Sequence, residues 1–294
     1  MDVNRNVQYD TRLDDAGEQR GGSDAKRCRA AAYPSLRLRG RMLLSEVDMI
    51  IDAHAHIGRS LFSGVDTTEA ELLESMMLND VDMALVMPQP SEEPVQQYHD
   101  RIARFATDNP DKIKGMASIP PRWSTERYER ELRRCVQELG FVGVKLHPLG
   151  HNISPEAAEC DKVFALAGAM GLPVIVHTGT GLPHALPSLL LTPAREYPNT
   201  KIIIDHAGFA VFADEALAVA RVYSNYYLNP SWCCSFQVKK MVDKLGSERV
   251  MMGSDHTTNL PVELTKFRSI GLTQGQLDDC LYKTTLSVFP LNVH

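Results

Sequence analysis

The chain has 294 residues, of which 44% are hydrophobic and 23% are charged, the composition of an ordinary globular protein. Its formal net charge is -6, and the body of the chain has no concentrated basic face, so nucleic acids and anionic membrane surfaces have no electrostatic support as partners. No apolar stretch approaches the ~18–20 residues that a membrane span requires.

Residues 1–48 differ in composition from everything that follows. They are polar, rich in Gly, Arg and Asp, and have neither a sustained apolar period nor the apolar segment of a secretory signal. We interpret them as a disordered leader, or as upstream sequence before a true start at Met42 or Met49. The six cysteines form no CxxC pair, which favours reduced thiols in a cytoplasmic protein.

From residue 49 onward a unit repeats, consisting of a short apolar run, a turn and a stretch with helical periodicity. The eight apolar runs are residues 49–54, 83–88, 114–119, 142–147, 173–177, 201–206, 226–229 and 249–255. The helical stretches are residues 70–78, 95–107, 124–139, 156–170, 186–197, 213–223, 236–245 and 262–288. Apolar strands that alternate with helices indicate a parallel sheet buried on both faces. Residues 49–294 are therefore predicted to form a (β/α)8 TIM barrel, in preference to an open sheet with a glycine-rich first turn.

The first apolar run ends in a His-x-His pair, His54 and His56. Side chains alternate along a strand, so both imidazoles and Asp52 are predicted to lie on one face. Two imidazoles in this arrangement can reach one metal ion beyond the strand end, since neutral imidazole binds zinc and similar first-row ions.

Other ionisable residues also fall at the ends of predicted strands, where the active site of a parallel barrel is built. They are Lys145 and His147 after the fourth run, His177 after the fifth, Asp205 and His206 after the sixth, and Asp255 after the eighth. Five of the eight strands thus end in ionisable groups, which predicts a single metal-dependent site.

Together these motifs resemble the amidohydrolase superfamily of metal-dependent barrels. The phrases GVKLHP (143–148), HTGTG (177–181) and DHAG (205–208) look like its amidohydrolase-related branch. That branch includes hydrolases and also nonoxidative decarboxylases similar to aminocarboxymuconate-semialdehyde decarboxylase. The resemblance covers nearly all of residues 49–291 and does not choose a substrate.

The resemblance implies one divalent metal ion that activates a water molecule by lowering its pKa from ~15.7 towards ~7. The expected ligands are His54, His56, His177 and Asp255, and Asp255 is also expected to act as general base. Zinc is favoured, while manganese and iron stay open because the same ligands suit them.

Other expected roles depend on position around the metal. His206 is expected to orient the nucleophile or polarise the substrate, and Asp52 and Asp205 to orient imidazoles. The expected substrate-binding residues are His147, Lys145 and Arg59. An alternative makes Lys145 a carboxylated bridge between two metal ions, with His206 on the second ion. Trp232 is expected at most as an apolar pocket wall.

The function predicted from the sequence is metal-dependent hydrolysis of a small amide, ester or lactone. The alternative is a nonoxidative decarboxylase of an unsaturated or aromatic carboxylic acid, and a third hypothesis is a barrel that binds metal without turnover. The predicted partner is a small-molecule substrate, and a homodimer is expected because dimers are common in the branch.

Overall fold

The structure is a computed structural model that describes residues 49–180 and 183–291. The predicted leader, residues 1–48, lies outside the described residues. The strands are β1 (Ile51–Ala55), β2 (Gly58–Arg59), β3 (Asp66–Thr67), β4 (Met83–Val86), β5 (Ile113–Gly115), β6 (Val144–Leu146), β7 (Val174–His177), β8 (Ile202–Asp205) and β9 (Tyr226–Asn229). The α-helices are α1 (Glu69–Leu78), α2 (Val95–Asp108), α3 (Thr125–Gln137), α4 (Pro148–His151), α5 (Ala158–Ala169), α6 (Leu191–Glu196), α7 (Phe209–Ala220), α8 (Ser235–Leu245), α9 (Leu260–Ser269), α10 (Gln274–Asp278) and α11 (Thr284–Val288).

The parallel strands close into a barrel. Strands β1, β4 and β5 pair in that order, as do β6, β7, β8 and β9, and a bridge between Ala117 and Val144 joins the two sets. Residues 250–255 form the eighth segment of the barrel wall, and Val250 forms one bridge to β9. A hydrogen bond joins this segment to β1 and closes the barrel: Ala53 N donates to Met252 O at 3.0 Å. The predicted TIM barrel is confirmed.

Both faces of the sheet are buried, which explains why its strands read as continuous apolar runs. The barrel interior holds a layer of apolar side chains formed by Ala53, Leu85, Met87, Met116, Val142, Ile175, Ile203, Met251, Val288 and Phe289. The alternate residues pack outward against the helices in a larger core. Because inward positions recur every second residue, the position after Ile175 is His177 and the position after Ile203 is Asp205. The apolar layer therefore supports a polar layer at the carboxyl ends of the strands.

Several local features differ from the predictions; of the predicted helix over 186–197, for example, only Leu191–Glu196 is α-helical. The antiparallel pair β2 and β3 was not predicted, and α7 begins at Phe209, four residues before the predicted start. The predicted helix over 262–288 is divided into α9, α10 and α11. Thr273 caps α10 by accepting from Gln276 N, and a π-helical turn over Asp279–Lys283 separates α10 from α11. None of the helices in the described part of the chain combines the length and apolarity that crossing a membrane demands.

Candidate metal and active site

The His-x-His pair lies at the end of β1, where the register against β4 shifts between Asp52 and Ala55. The Nε2 atoms of His54 and His56 are 2.8 Å apart. The other ring nitrogen of each histidine faces an oxygen: His56 Nδ1 donates to Met87 O at 2.7 Å, and His54 Nδ1 lies 2.8 Å from Asp205 Oδ1. A carbonyl or an ionised carboxylate only accepts, so both Nδ1 atoms carry a proton, and in the neutral imidazoles that bind metals both Nε2 atoms carry a lone pair.

Asp255 completes this cluster from the opposite side of the barrel seam. Its Oδ1 lies 3.3 Å from His56 Nε2 and 3.6 Å from His54 Nε2. One ligand atom from each of the three residues falls within 4.8 Å of the others. Two lone pairs facing each other beside a carboxylate repel unless a cation lies among them, and two imidazoles with one carboxylate suit zinc and its neighbours. The residues therefore fit a divalent metal ion.

Asp205 links the cluster to its surroundings. Its carboxylate accepts from Lys145 Nζ, lies 2.8 Å from His54 Nδ1 and lies 3.3 Å from His206 Nε2. Burial opposes ionisation, but His206, His54 and Lys145 together hold the pKa of Asp205 well below its ordinary value. Asp205 thus orients His54 as predicted. Lys145 also lies 3.3 Å from His54 Nε2, and its ion pair is with Asp205.

Asp52 does not orient an imidazole, so that prediction is wrong. It accepts from the backbone of Ser254 at 2.8 Å, from Ser254 Oγ at 2.5 Å and from His54 N at 3.1 Å. Burial raises its pKa to about 6. Asp52 therefore fastens the eighth segment of the barrel to β1, and it acts on the cluster only through the backbone.

Three further histidines stand around the cluster. His206 Nδ1 lies 2.7 Å from Ser231 Oγ, and the rings of His147 and His177 stack with centroids 4.1 Å apart. His177 Nε2 lies 3.4 Å from Thr180 O, which leaves His177 outside the group of three converging ligands. Its role as a fourth ligand stays a prediction. Burial lowers the pKa of His206 to about 4 and that of His177 to about 3, so both imidazoles are neutral at pH 7.

A cavity of about 460 Å³ opens above these residues, within the range of small-molecule sites. The predicted site residues that line it are His56, Lys145, His147, His177, His206 and Asp255. Two pairs of parallel rings form part of its wall: Phe62 with His147, at 6.0 Å, and Phe209 with Trp232, at 6.4 Å. The cavity therefore offers flat apolar surfaces beside a polar floor.

Arg59 does not reach this cavity. It lies on β2, whose pairing with Asp66 on β3 leaves the side chain exposed, and it lines a separate surface cavity with Gly64 and Glu92. The structure therefore gives no support to Arg59 as a substrate-binding residue.

Sequence reasoning missed two functional contacts on the loop after β9. Ser231 holds His206, and Trp232 Nε1 donates to Asp255 Oδ2 at 2.7 Å, a polar role that a pocket wall does not predict. The available signal was their position directly after a strand end, where polar residues of a barrel gather.

Comparison with a solved structure agrees with the barrel. A dihydroxybenzoic acid decarboxylase from Polaromonas sp. JS666, with bound manganese and the inhibitor 2-nitroresorcinol, superposes with a TM-score of 0.65. The alignment covers 82% of this chain and 96% of that chain at 15% identity, a level at which the likeness shows the fold.

Two relatives overturn the prediction of hydrolysis. A 2-amino-3-carboxymuconate-6-semialdehyde decarboxylase from Dictyostelium discoideum is 24% identical over 211 residues, which are 58% of this chain and 58% of that protein. A gamma-resorcylate decarboxylase from Polaromonas sp. (strain JS666) is 21% identical over 218 residues, 56% of this chain and 66% of that protein. The chain thus spans about three fifths of the length of these relatives. Both relatives are named as decarboxylases, which favours the alternative reaction. The fold and the metal site do not distinguish decarboxylation from hydrolysis.

The sequence profile of the amidohydrolase family matches residues 51–276, from β1 into α10. This range includes all the histidines and carboxylates of the cluster described above. The chain belongs to the amidohydrolase family.

Proposed function

We propose that this protein is a metal-dependent nonoxidative decarboxylase of a small aromatic or unsaturated carboxylic acid. The observation that carries the proposal is the convergence of His54, His56 and Asp255 under a flat-walled cavity, in a chain whose named relatives are decarboxylases. The parallel rings beside the cavity suit a planar substrate, because stacked aromatic contacts favour flat groups.

The reaction sets three demands. The bond between the carboxylate carbon and its neighbour breaks and CO2 leaves, so the electron pair stays on the neighbouring carbon, where one proton then forms a C–H bond. The site must hold an anion, stabilise negative charge as it develops and deliver that proton. His54, His56 and Asp255 would hold the metal ion, with His177 as the proposed fourth ligand. When bound, the ion supplies positive charge that holds an anionic substrate oxygen.

The chain's own groups meet the remaining demands. Asp255 is the proposed proton carrier: Trp232 occupies its Oδ2, and Oδ1, which has two lone pairs, would keep one for the proton beside the one that holds the metal ion. His206 is the proposed hydrogen-bond partner of the substrate, held at Nδ1 by Ser231.

The proposed cofactor is one divalent ion, either zinc or manganese. Imidazole and carboxylate ligands suit both, and manganese is bound in the Polaromonas decarboxylase structure. Elemental analysis of purified protein, with His54→Ala beside it, tests this proposal. The expected result is about one equivalent of metal in the native protein and a loss of metal in the variant.

The activity is tested by CO2 release from a panel of 2,6-dihydroxybenzoate, 5-carboxyvanillate and aminocarboxymuconate semialdehyde, with lactones and amides as the competing panel. In D2O, the product should carry one deuterium at the carbon that lost CO2. Asp255→Asn should lower turnover roughly 10²–10⁴-fold, the usual contribution of a proton carrier. Asp214→Asn, an exposed aspartate on α7, is the matched control and should retain activity. Hydrolysis of the second panel without CO2 from the first would overturn the proposal.

A further inference from the structure

The hydrogen bond between Trp232 and Asp255 divides the two carboxylate oxygens between two partners. Trp232 Nε1 donates to Oδ2 at 2.7 Å, while Oδ1 lies 3.3 Å from His56 Nε2. A carboxylate can rotate about its Cβ–Cγ bond and can bind an ion through one oxygen or both. An N–H group fixed on Oδ2 removes that freedom and leaves Oδ1 directed at the histidine pair.

Trp232 is itself held in place from α9. Its backbone N donates to Glu263 Oε1 at 2.9 Å, and Glu263 is 1% exposed and paired with Lys266. Asn259 Nδ2 donates to the same Glu263 oxygen at 3.1 Å and to Ser254 O at 2.9 Å. One helix therefore ties together the loop that carries Trp232 and the segment that carries Asp255.

The backbone conformations of Trp232 and Asp255 indicate that their surroundings hold both residues in place. Trp232 and Asp255 each have φ of +67°, the left-handed region that residues with a Cβ rarely adopt. Such conformations persist where the surroundings over-determine them, and they concentrate at functional sites. Here the hydrogen bonds from α9 and the bond from Asp255 N to His54 O, at 2.8 Å, supply that constraint.

We propose that Trp232 is a positioning residue that sets Asp255 as a one-oxygen ligand of the metal ion. The inference rests on the metal site proposed above. Groups that hydrogen-bond a ligand fix its direction, and their loss costs 10–100-fold in metal affinity or activity. A tryptophan that served only as an aromatic wall would affect substrate binding and leave metal affinity unchanged.

The test is Zn²⁺ affinity of the full-length, metal-stripped protein, measured by competition with a chelating dye. Trp232→Phe keeps an aromatic ring and removes the N–H donor, and it should bind Zn²⁺ about 10–100-fold more weakly than the native protein. Trp123→Phe is the matched control, because Trp123 lies before α3 under the Arg127 guanidinium and outside the residues that line the cavity. It should bind Zn²⁺ with native affinity, and thermal melts should show that both variants are folded.

A second measurement leaves Trp232 in place. The chain has two tryptophans, so Trp232 is the only one in the Trp123→Phe variant. Its fluorescence emission should change during the Zn²⁺ titration and saturate at the concentration found with the dye. Native Zn²⁺ affinity in Trp232→Phe, with a raised KM alone, would overturn the positioning role and leave the metal site standing. Failure of the native protein to bind Zn²⁺ would overturn both.

Discussion

The ion pair between Lys145 and Asp205 is expected to dominate the stability of the polar layer. Lys145 is 1% exposed and Asp205 is 0% exposed, so Asp205→Asn leaves an ammonium group buried without its counter-charge. Removing one partner of such a pair costs roughly 3–5 kcal/mol. At about 2–4 °C per kcal/mol for a domain of this size, Tm should fall by about 6–20 °C. The variant should also bind metal about 10–100-fold more weakly, because the neutral amide oxygen of asparagine holds His54 Nδ1 less strongly than the carboxylate does.

The double variant Asp205→Asn/Lys145→Met separates charge from shape. It removes both charges while keeping side chains of similar length, and replacing a buried ion pair with neutral groups is often neutral or stabilising. The double variant should therefore recover most of the stability that Asp205→Asn loses, in urea unfolding of the metal-stripped proteins. An Asp205→Asn protein within 1 kcal/mol of native, or losses that simply add in the double variant, would refute this reasoning.

Three further predictions follow from other contacts. A chelator should lower Tm in scanning fluorimetry, because a metal ion at 100 times its Kd stabilises the folded protein by about 2.7 kcal/mol. An unchanged Tm would contradict the metal site. Ser231→Ala should destabilise by about 1–3 kcal/mol and lower kcat, because His206 Nδ1 loses a partner at 2.7 Å; native kcat would argue against His206 in the reaction. Burial raises the pKa of Glu131, but hydrogen bonds from His99, Arg134 and Gln96 lower it by more and hold it below 4.5. This stabilisation is present above pH 4.5 and lost below it, so Glu131→Gln should flatten the fall of Tm in acid; an equally steep fall would contradict it.

The fold was predictable because the strands are buried on both faces. A run such as Val174, Ile175 and Val176 stays apolar throughout, since its alternate residues face the barrel interior and the helices. The same two-residue period places His177 and Asp205 at inward positions above the apolar layer. Sequence alone thus located the polar layer of the site and the His54, His56 and Asp255 cluster.

The direction in which each side chain of the polar layer points was less predictable from the sequence. Asp52 shares the sequence alternation of His54, but the register shift after Asp52 leaves it bonded to Ser254 in place of an imidazole. Arg59 follows the histidine pair closely, yet an unpredicted antiparallel hairpin carries it away from the cavity. Spacing along a strand fixes position, whereas pairing with a distant segment fixes which atom a side chain meets.

The remaining information lies in backbone conformations that no periodicity encodes. His206, Ala207, Phe209, Trp232 and Asp255 all have positive φ, and all follow the carboxyl ends of strands around the cavity. Each such conformation costs on the order of 1–3 kcal/mol in a residue with a Cβ. A chain selected only for stability would place glycine at these turns, as it does at Gly179 and Gly208. Side chains with hydrogen-bonding or stacking contacts occupy most of these turns instead, which indicates that the strain is retained because it directs His206, Trp232 and Asp255 to their partners.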